Sequence, residues 1–145
     1  MLKHLKNQRG MTLIEIIVVM AIIALFTSIV ATQVTGRLAQ AKIDSTKTQI
    51  KMLSQALELY KADNDYYPTT DQGLEALITK PTTGNVPTNY PADGYLQKSK
   101  LPKDGWGQPF VYISEDGNAF TILSYGADKK EGGSDKGADV SSDDI

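Results

Sequence analysis

The sequence predicts an α+β protein in which one long N-terminal helix, apolar through its first half and amphipathic through its second, packs on a small antiparallel β-sheet. Three observations carry this reading. Residues 11–31 hold a single charge, Glu15, and residues 16–31 hold none. Ile43, Thr46, Ile50, Leu53, Leu57 and Tyr60 then recur at three- and four-residue spacing, with Lys47, Lys51, Glu58 and Lys61 off that stripe, which is the period of an amphipathic helix. Finally, "PFVYIS" and "AFTILSY" flank "EDGN", the pattern of a β-hairpin turning at Asp116-Gly117.

The apolar run comes first. Its 21 residues span about 30 Å as a helix, roughly one hydrocarbon core. A buried core helix of this length would carry a polar face. A signal peptide would have a shorter apolar region with a small-x-small site close behind it, whereas the nearest candidate, "AQA" at 39–41, lies well downstream. A retained membrane span fits best, and Lys3, Lys6 and Arg9 ahead of it place the N-terminus in the cytoplasm.

The helix need not stop at the membrane. The stripe from Ile43 onward extends it to about Ala62, and Gly36 costs about 1 kcal/mol without demanding a break. The stripe reads as core contact, and "DNDYYP" ends the helix. A Thr69-to-Gln72 capping-box pattern opens a short second helix, with Leu74, Leu77 and Ile78 inward and Pro81 closing it. Residues 81–108, rich in Pro, Gly, Thr and Asn, read as an ordered loop with a turn of helix near "DGYLQKS". In that loop Trp106, between two glycines, reads as a packing anchor. The tail from Ser124 shows neither strand nor helix period.

Composition narrows the chemistry. At 145 residues with a net charge of −2, the chain suits one domain plus an extra element. No basic stripe with interleaved aromatics follows the apolar run, so no nucleic-acid surface is expected. There is no cysteine, and the one histidine, His4, lies in the basic leader. This leaves no disulfide frame, no thiolate chemistry and no imidazole base in the body of the protein.

Glu15 is the anomaly. A carboxylate inside a spanning helix costs roughly 2.5–3.5 kcal/mol, less near the interface, and usually has a partner. It either sits at headgroup level, or pairs with a cation such as the α-amine that a cut between Gly10 and Met11 would expose. "RGMTLIE" resembles the type IV prepilin cleavage and methylation signal. The resemblance implies that a prepilin peptidase removes residues 1–10 and N-methylates Met11. It also implies that Glu15 is the assembly glutamate, neutralising the N-terminus of an adjacent subunit. Met11 stands where Phe is commoner, and Thr32 where this superfamily usually has proline.

The tail "SYGADKKEGGSDKGADVSSDDI" separates its acids by glycines. Calcium takes six to eight oxygens from a flexible loop, and this segment could supply them, although an acidic Gly-rich terminus is also what a disordered tail looks like. "YPTTDQGLEAL" (67–77), "LPKDGWGQPF" (101–110) and "SYGAD" (124–128) together resemble the major pseudopilins of the type II secretion system over nearly the whole chain. That resemblance implies a type IV pilin-like fold and a structural Ca2+ held by Asp128, the Tyr125 carbonyl, Asp135 and Asp139. Asp143 and Asp144 are the alternatives.

The implied organisation is a cleaved leader (1–10), a transmembrane and assembly helix (11–34) and a periplasmic pilin-like domain (35–145) that includes the second half of the helix. The implied function is non-enzymatic: the major subunit of a pseudopilus that polymerises through its N-terminal helix and drives folded proteins across the outer membrane. Its partners would be other copies of itself, the prepilin peptidase, minor pseudopilins and an inner-membrane assembly platform. The rival is a type IV pilin of an adhesive or DNA-uptake filament. Such pilins often close a C-terminal loop with cysteines, which this chain lacks. A membrane-anchored calcium-dependent hydrolase would need a nucleophile and base that no convergent set of residues suggests.

Overall fold

A computed structural model describes residues 10–97, 100–134 and 137–145. Helix α1 runs from Leu13–Asn64 without interruption through Thr32 and Gly36. Strands β1 (Val111–Ile113), β2 (Thr121–Ser124) and β3 (Val140–Ser141) form one antiparallel sheet with β2 in the centre. The chain divides into two compact units, residues up to Leu38 and Ala39–Ile145.

In the first unit the large apolar side chains described from Met11 to Val30 are all at least 40% exposed. So continuous an apolar surface needs hydrocarbon or other helices around it. In the uncharged part of the run, Thr27 and Ser28 turn their hydroxyls back onto the carbonyls of Ile23 and Leu25, so neither hydroxyl needs water.

The second unit holds the core. Ile50, Leu53, Leu57 and Tyr60 of the expected stripe are buried together with Tyr67, Leu74, Leu77, Tyr112, Ile122 and Val140. Thr46 is fully buried, whereas Ile43 is only half-buried. Tyrosines supply much of the packing: Tyr60 meets Tyr66 and Tyr95, and Tyr67 meets Phe120 edge-on at 4.8 Å. Burial pushes the hydroxyls of Tyr67, Tyr95 and Tyr112 up to about 12. The bonds from Tyr67 to Glu58 and from Tyr95 to Asp63 add to this, because a phenolate would face a carboxylate.

Three expectations need correction. The short second helix is a 3₁₀ turn, Leu74–Leu77. Gln72 does accept the Thr69 amide at 3.0 Å, but Gly73 at φ 64° interrupts helical geometry before the turn begins. The described part of "DGYLQKS", residues 93–97, forms the end of a turn and then bends, with no helix, and residues 98 and 99 lie outside the described set. The tail is not devoid of regular structure, since Val140–Ser141 pairs with β2 and Ser142–Asp144 adds a 3₁₀ turn. Two residues of strand are too few to show a period of two, and their pairing partners lie 16 and 18 positions away. The hairpin forms as expected, with Gly117 at φ 73° and Asp116 accepting from the Asn118 amide.

Candidate functional site

At the N-terminal end, Gly10 and Met11 are exposed and precede the helix. Glu15 lies in the first turn of α1, and it is not idle there. Its Oε2 accepts the Thr12 amide at 3.4 Å, while the Glu15 amide donates to Thr12 Oγ1 at 3.3 Å. This reciprocal pair is a capping box. The sequence signal for it is the T-x-x-E of "TLIE". The Gly10–Met11 bond therefore sits in non-helical chain just outside a capped helix.

The second candidate is the tail loop. Register places its acids. Leu123 pairs with Ser141 and Ser124 with Val140, so continuing the ladder sets Tyr125 opposite Asp139 and Gly126 opposite Ala138. Gly126, at φ 61°, approaches so closely that a Cβ would stand 2.7 Å from the Ala138 carbonyl oxygen. Asp139 Oδ2 accepts the Gly132 amide at 2.9 Å. Asp128 Oδ1 accepts the Lys130 amide, and its Oδ2 lies only 2.9 Å from where a Cβ on Gly133 would be. Asp128 and Asp139 thus both reach glycines of the same loop, Asp139 at Gly132 and Asp128 beside Gly133 and Gly137, where the missing Cβ leaves room for a carboxylate.

One atom there is unaccounted for. Asp139 Oδ1 is buried and meets no hydrogen-bond donor among the described residues. A buried carboxylate oxygen without a donor is costly, and a bound cation is the chemistry that would satisfy it. Asp135 belongs to the same loop but lies outside the described residues. Among the described residues no three acidic, His or Cys side chains gather closely enough to hold a metal by themselves, so Asp128 and Asp139 would need backbone carbonyls or further ligands. Asp143 and Asp144 sit at the other end of β2. Asp143 accepts from Thr121 Oγ1 at 3.5 Å, about 13 Å along the strand from Tyr125 at roughly 3.3 Å per residue.

Beneath this loop is a residue that sequence reading passed over. Asp104 is buried, and its Oδ1 accepts the amides of Trp106 and Gln108 at 3.0 and 2.7 Å. Its Oδ2 accepts from Ser124 Oγ at 2.6 Å, and Ser124 Oγ in turn accepts the Gly126 amide. Next in sequence, the Gly105 amide donates to Thr46 Oγ1 at 2.9 Å, and Thr46 donates on to the Lys42 carbonyl. Asp104 therefore ties "DGWGQPF" together by hydrogen bonds, while Trp106, expected to anchor it by packing, is half-buried. An Asp-Gly followed two residues later by a second Gly was the available signal, because a short acidic side chain bonds the amides just ahead of it.

The family model for type II secretion system protein G matches residues 33–143, and a prokaryotic N-terminal methylation motif matches residues 5–31. Type II secretion system core protein G of Pseudomonas aeruginosa is 48% identical over 136 residues, 93% of this chain and 94% of that protein. Its counterpart in Vibrio cholerae is 43% identical over 96% of this chain and 94% of that one. The crystal structure of the major pseudopilin from the type 2 secretion system of enterohaemorrhagic Escherichia coli superposes with a TM-score of 0.65 at 31% identity, covering 77% of this chain and 94% of that chain. With a matched family model across most of its length and relatives at this identity, the chain belongs to the type II secretion system protein G family.

Proposed function

We propose that this chain is the major structural subunit of a type II secretion pseudopilus, anchored by α1 in the inner membrane before assembly and polymerised through the same segment afterwards. The observation that carries this reading is the exposed apolar first half of α1, led by a charged residue, on a chain whose second unit has a complete core of its own. One surface can serve both states, because lipid tails and neighbouring helices are equally apolar environments. The leader's basic residues keep the N-terminus cytoplasmic, which puts the second unit in the periplasm. In this reading the chain is processed, stored in the membrane and assembled, and it catalyses nothing.

Prepilin peptidase cuts between Gly10 and Met11 and methylates the new amine. Glu15 then exchanges the weak bond to its own Thr12 for the cationic N-terminus of a neighbour, a charge-assisted contact of roughly twice the strength. Other copies of the chain, minor pseudopilins and an inner-membrane platform are the partners of this assembly. Intact mass spectrometry of protein extracted from membranes of a host with its prepilin peptidase tests the pathway. Loss of residues 1–10 plus one methyl group on Met11, blocked by Gly10→Ala, is expected. An uncut wild-type chain would reduce Glu15 to a helix-capping residue and remove the pilus reading.

The tail loop holds a structural Ca2+ through Asp128, Asp139 and the carbonyl of Tyr125, with Asp135 completing the acidic set. The donor chemistry supports this, since hard carboxylate and carbonyl oxygens on a glycine-rich loop suit calcium. Asp139 Oδ1, which meets no donor among the described residues, supports it as well. What the ion supplies is a positive centre for these oxygens. The chain's own residues shape the loop: Gly126 brings the segment after β2 against Ala138, and Gly132 orients Asp139.

A further inference from the structure

The loop of Asp128 and Asp139 does not touch α1 through any described hydrogen bond, yet one buried residue links the two. Gly126, two positions before Asp128, gives its amide to Ser124 Oγ, and Ser124 gives its hydroxyl to Asp104 Oδ2. The direction of this relay is dictated by chemistry. A carboxylate can only accept, so the Ser124 proton points at Asp104 and its lone pair is free for Gly126. On the other side, Gly105 packs so closely on the backbone of Lys42 that no side chain fits there, and its amide donates to Thr46 Oγ1. Thr46 is fully buried, and its hydroxyl closes onto the Lys42 carbonyl. The path from the loop to the first turns of α1 inside the second unit thus passes through adjacent residues 104 and 105.

Two features make this pair more than local packing. Oδ1 of Asp104 is fully engaged by the Trp106 and Gln108 amides, so moving the carboxylate to follow Ser124 would break the turn that carries Gly105. Conversely, withdrawing Gly105 from Thr46 drags Asp104 with it, because a single peptide separates them. Resting on the calcium reading above, we propose that Asp104 is the positioning residue of the metal loop. Through Gly105 and Thr46 it makes the loop's calcium affinity and the docking of the 42–46 turn of α1 a single equilibrium. Calcium then orders the start of the docked helix as well as the tail, and only a loaded subunit presents that turn rigidly for assembly.

Coupling of this kind is reciprocal, so loosening the helix contact must weaken calcium binding by the factor that calcium strengthens the contact. The test is calcium titration by calorimetry of the full-length protein in detergent, comparing wild type with Thr46→Val, Thr46→Ser, Asp104→Asn and Ser114→Ala. Thr46→Val removes the acceptor for Gly105 at a position that, among the described residues, makes its hydrogen bonds only to Lys42 and Gly105. It should raise the calcium Kd about fivefold or more, as should Asp104→Asn, and the double variant should be little worse than either single one. Thr46→Ser keeps the hydroxyl and should bind as wild type does. Ser114 is equally buried and bonds the Ala119 carbonyl at 2.6 Å. Ser114→Ala should melt earlier with its calcium Kd unchanged.

A Thr46→Val protein that melts earlier but binds calcium like wild type overturns the proposal. Should that variant fail to fold, hydrogen exchange on the wild type decides, since added calcium must slow exchange of the Gly105 amide as well as that of Gly126. Protection of Gly126 alone refutes the coupling and leaves the metal reading standing. A wild-type chain that binds no calcium refutes the metal reading, and this proposal falls with it.

Discussion

Replacing Asp139 with Asn should change the stability of the protein in opposite directions depending on calcium. Without the ion, Asp139 Oδ1 is a buried acceptor with no donor among the described residues, while Oδ2 is satisfied by Gly132. An unmet buried acceptor costs about 1–3 kcal/mol. Asparagine keeps one oxygen for Gly132 and removes the charge, but its amide nitrogen then wants an acceptor, so the net gain is about 1 kcal/mol. With calcium at about one hundred times its Kd, the wild type gains about 2.7 kcal/mol by linkage, and most of that is lost when a ligand charge is removed. The variant should then be about 1.5–2 kcal/mol less stable than wild type. At roughly 4 °C per kcal/mol for a unit of this size, Tm rises by about 4 °C in chelator and falls by about 6–8 °C in calcium. Trp106, the one tryptophan, reports the melt of the second unit in the full-length protein by fluorescence. Equal losses of Tm in chelator and in calcium would refute the reasoning and make Asp139 an ordinary structural acceptor of the Gly132 amide.

Further expectations follow from burial and contact. Leu57 is fully buried on α1 and Leu59 is 59% exposed, so Leu57→Ala should cost about 2–5 kcal/mol in denaturant unfolding. Leu59→Ala should stay within about 0.5 kcal/mol. Gly105→Ala drives a Cβ into the Lys42 backbone, where neither side is a flexible side chain; a loss of about 1–3 kcal/mol or more is expected in the same assay. The hydroxyls of Tyr67, Tyr95 and Tyr112, pushed up to about 12 from 10.0, keep their protons in the fold at a pH where the unfolded chain has begun to release them. The stability they contribute is complete below about pH 10 and is lost as the pH rises through about 12. Melting temperature followed by circular dichroism across that window should fall steeply, and a flat profile would contradict the burial of these groups.

Much of the architecture was legible because it is periodic. A run of uncharged apolar residues and an i, i+3, i+4 stripe are local signals, and both halves of α1 follow them, with Ile50, Leu53, Leu57 and Tyr60 buried as the spacing requires. The hairpin was equally local, since Asp-Gly between two β-rich runs needs no distant partner. Glu15 announced itself by a charge where charge is expensive, although its bonds to Thr12 were hidden by that same anomaly. The family's presence was readable in three short segments whose order along the chain carries more information than their composition.

What sequence periodicity could not decide is whatever depends on contact between distant residues. Val140–Ser141 is a strand only because β2 offers it a ladder, and that register separates Asp139 from Asp143 and Asp144 by most of a strand's length. The 3₁₀ turn at Leu74–Leu77 begins where a left-handed glycine permits, not at the capping pattern. Asp104 is one of two acids in the 81–108 loop by sequence, and becomes a buried hub because the fold brings Ser124 to it and Thr46 to its neighbour. Local spacing determined that this protein has a membrane-length apolar segment continuing into a packed helix, because helical periodicity acts within a few residues. Only the tertiary structure determined which acids share a loop and what holds that loop in place, because hydrogen bonds across 20 to 59 positions are settled by packing.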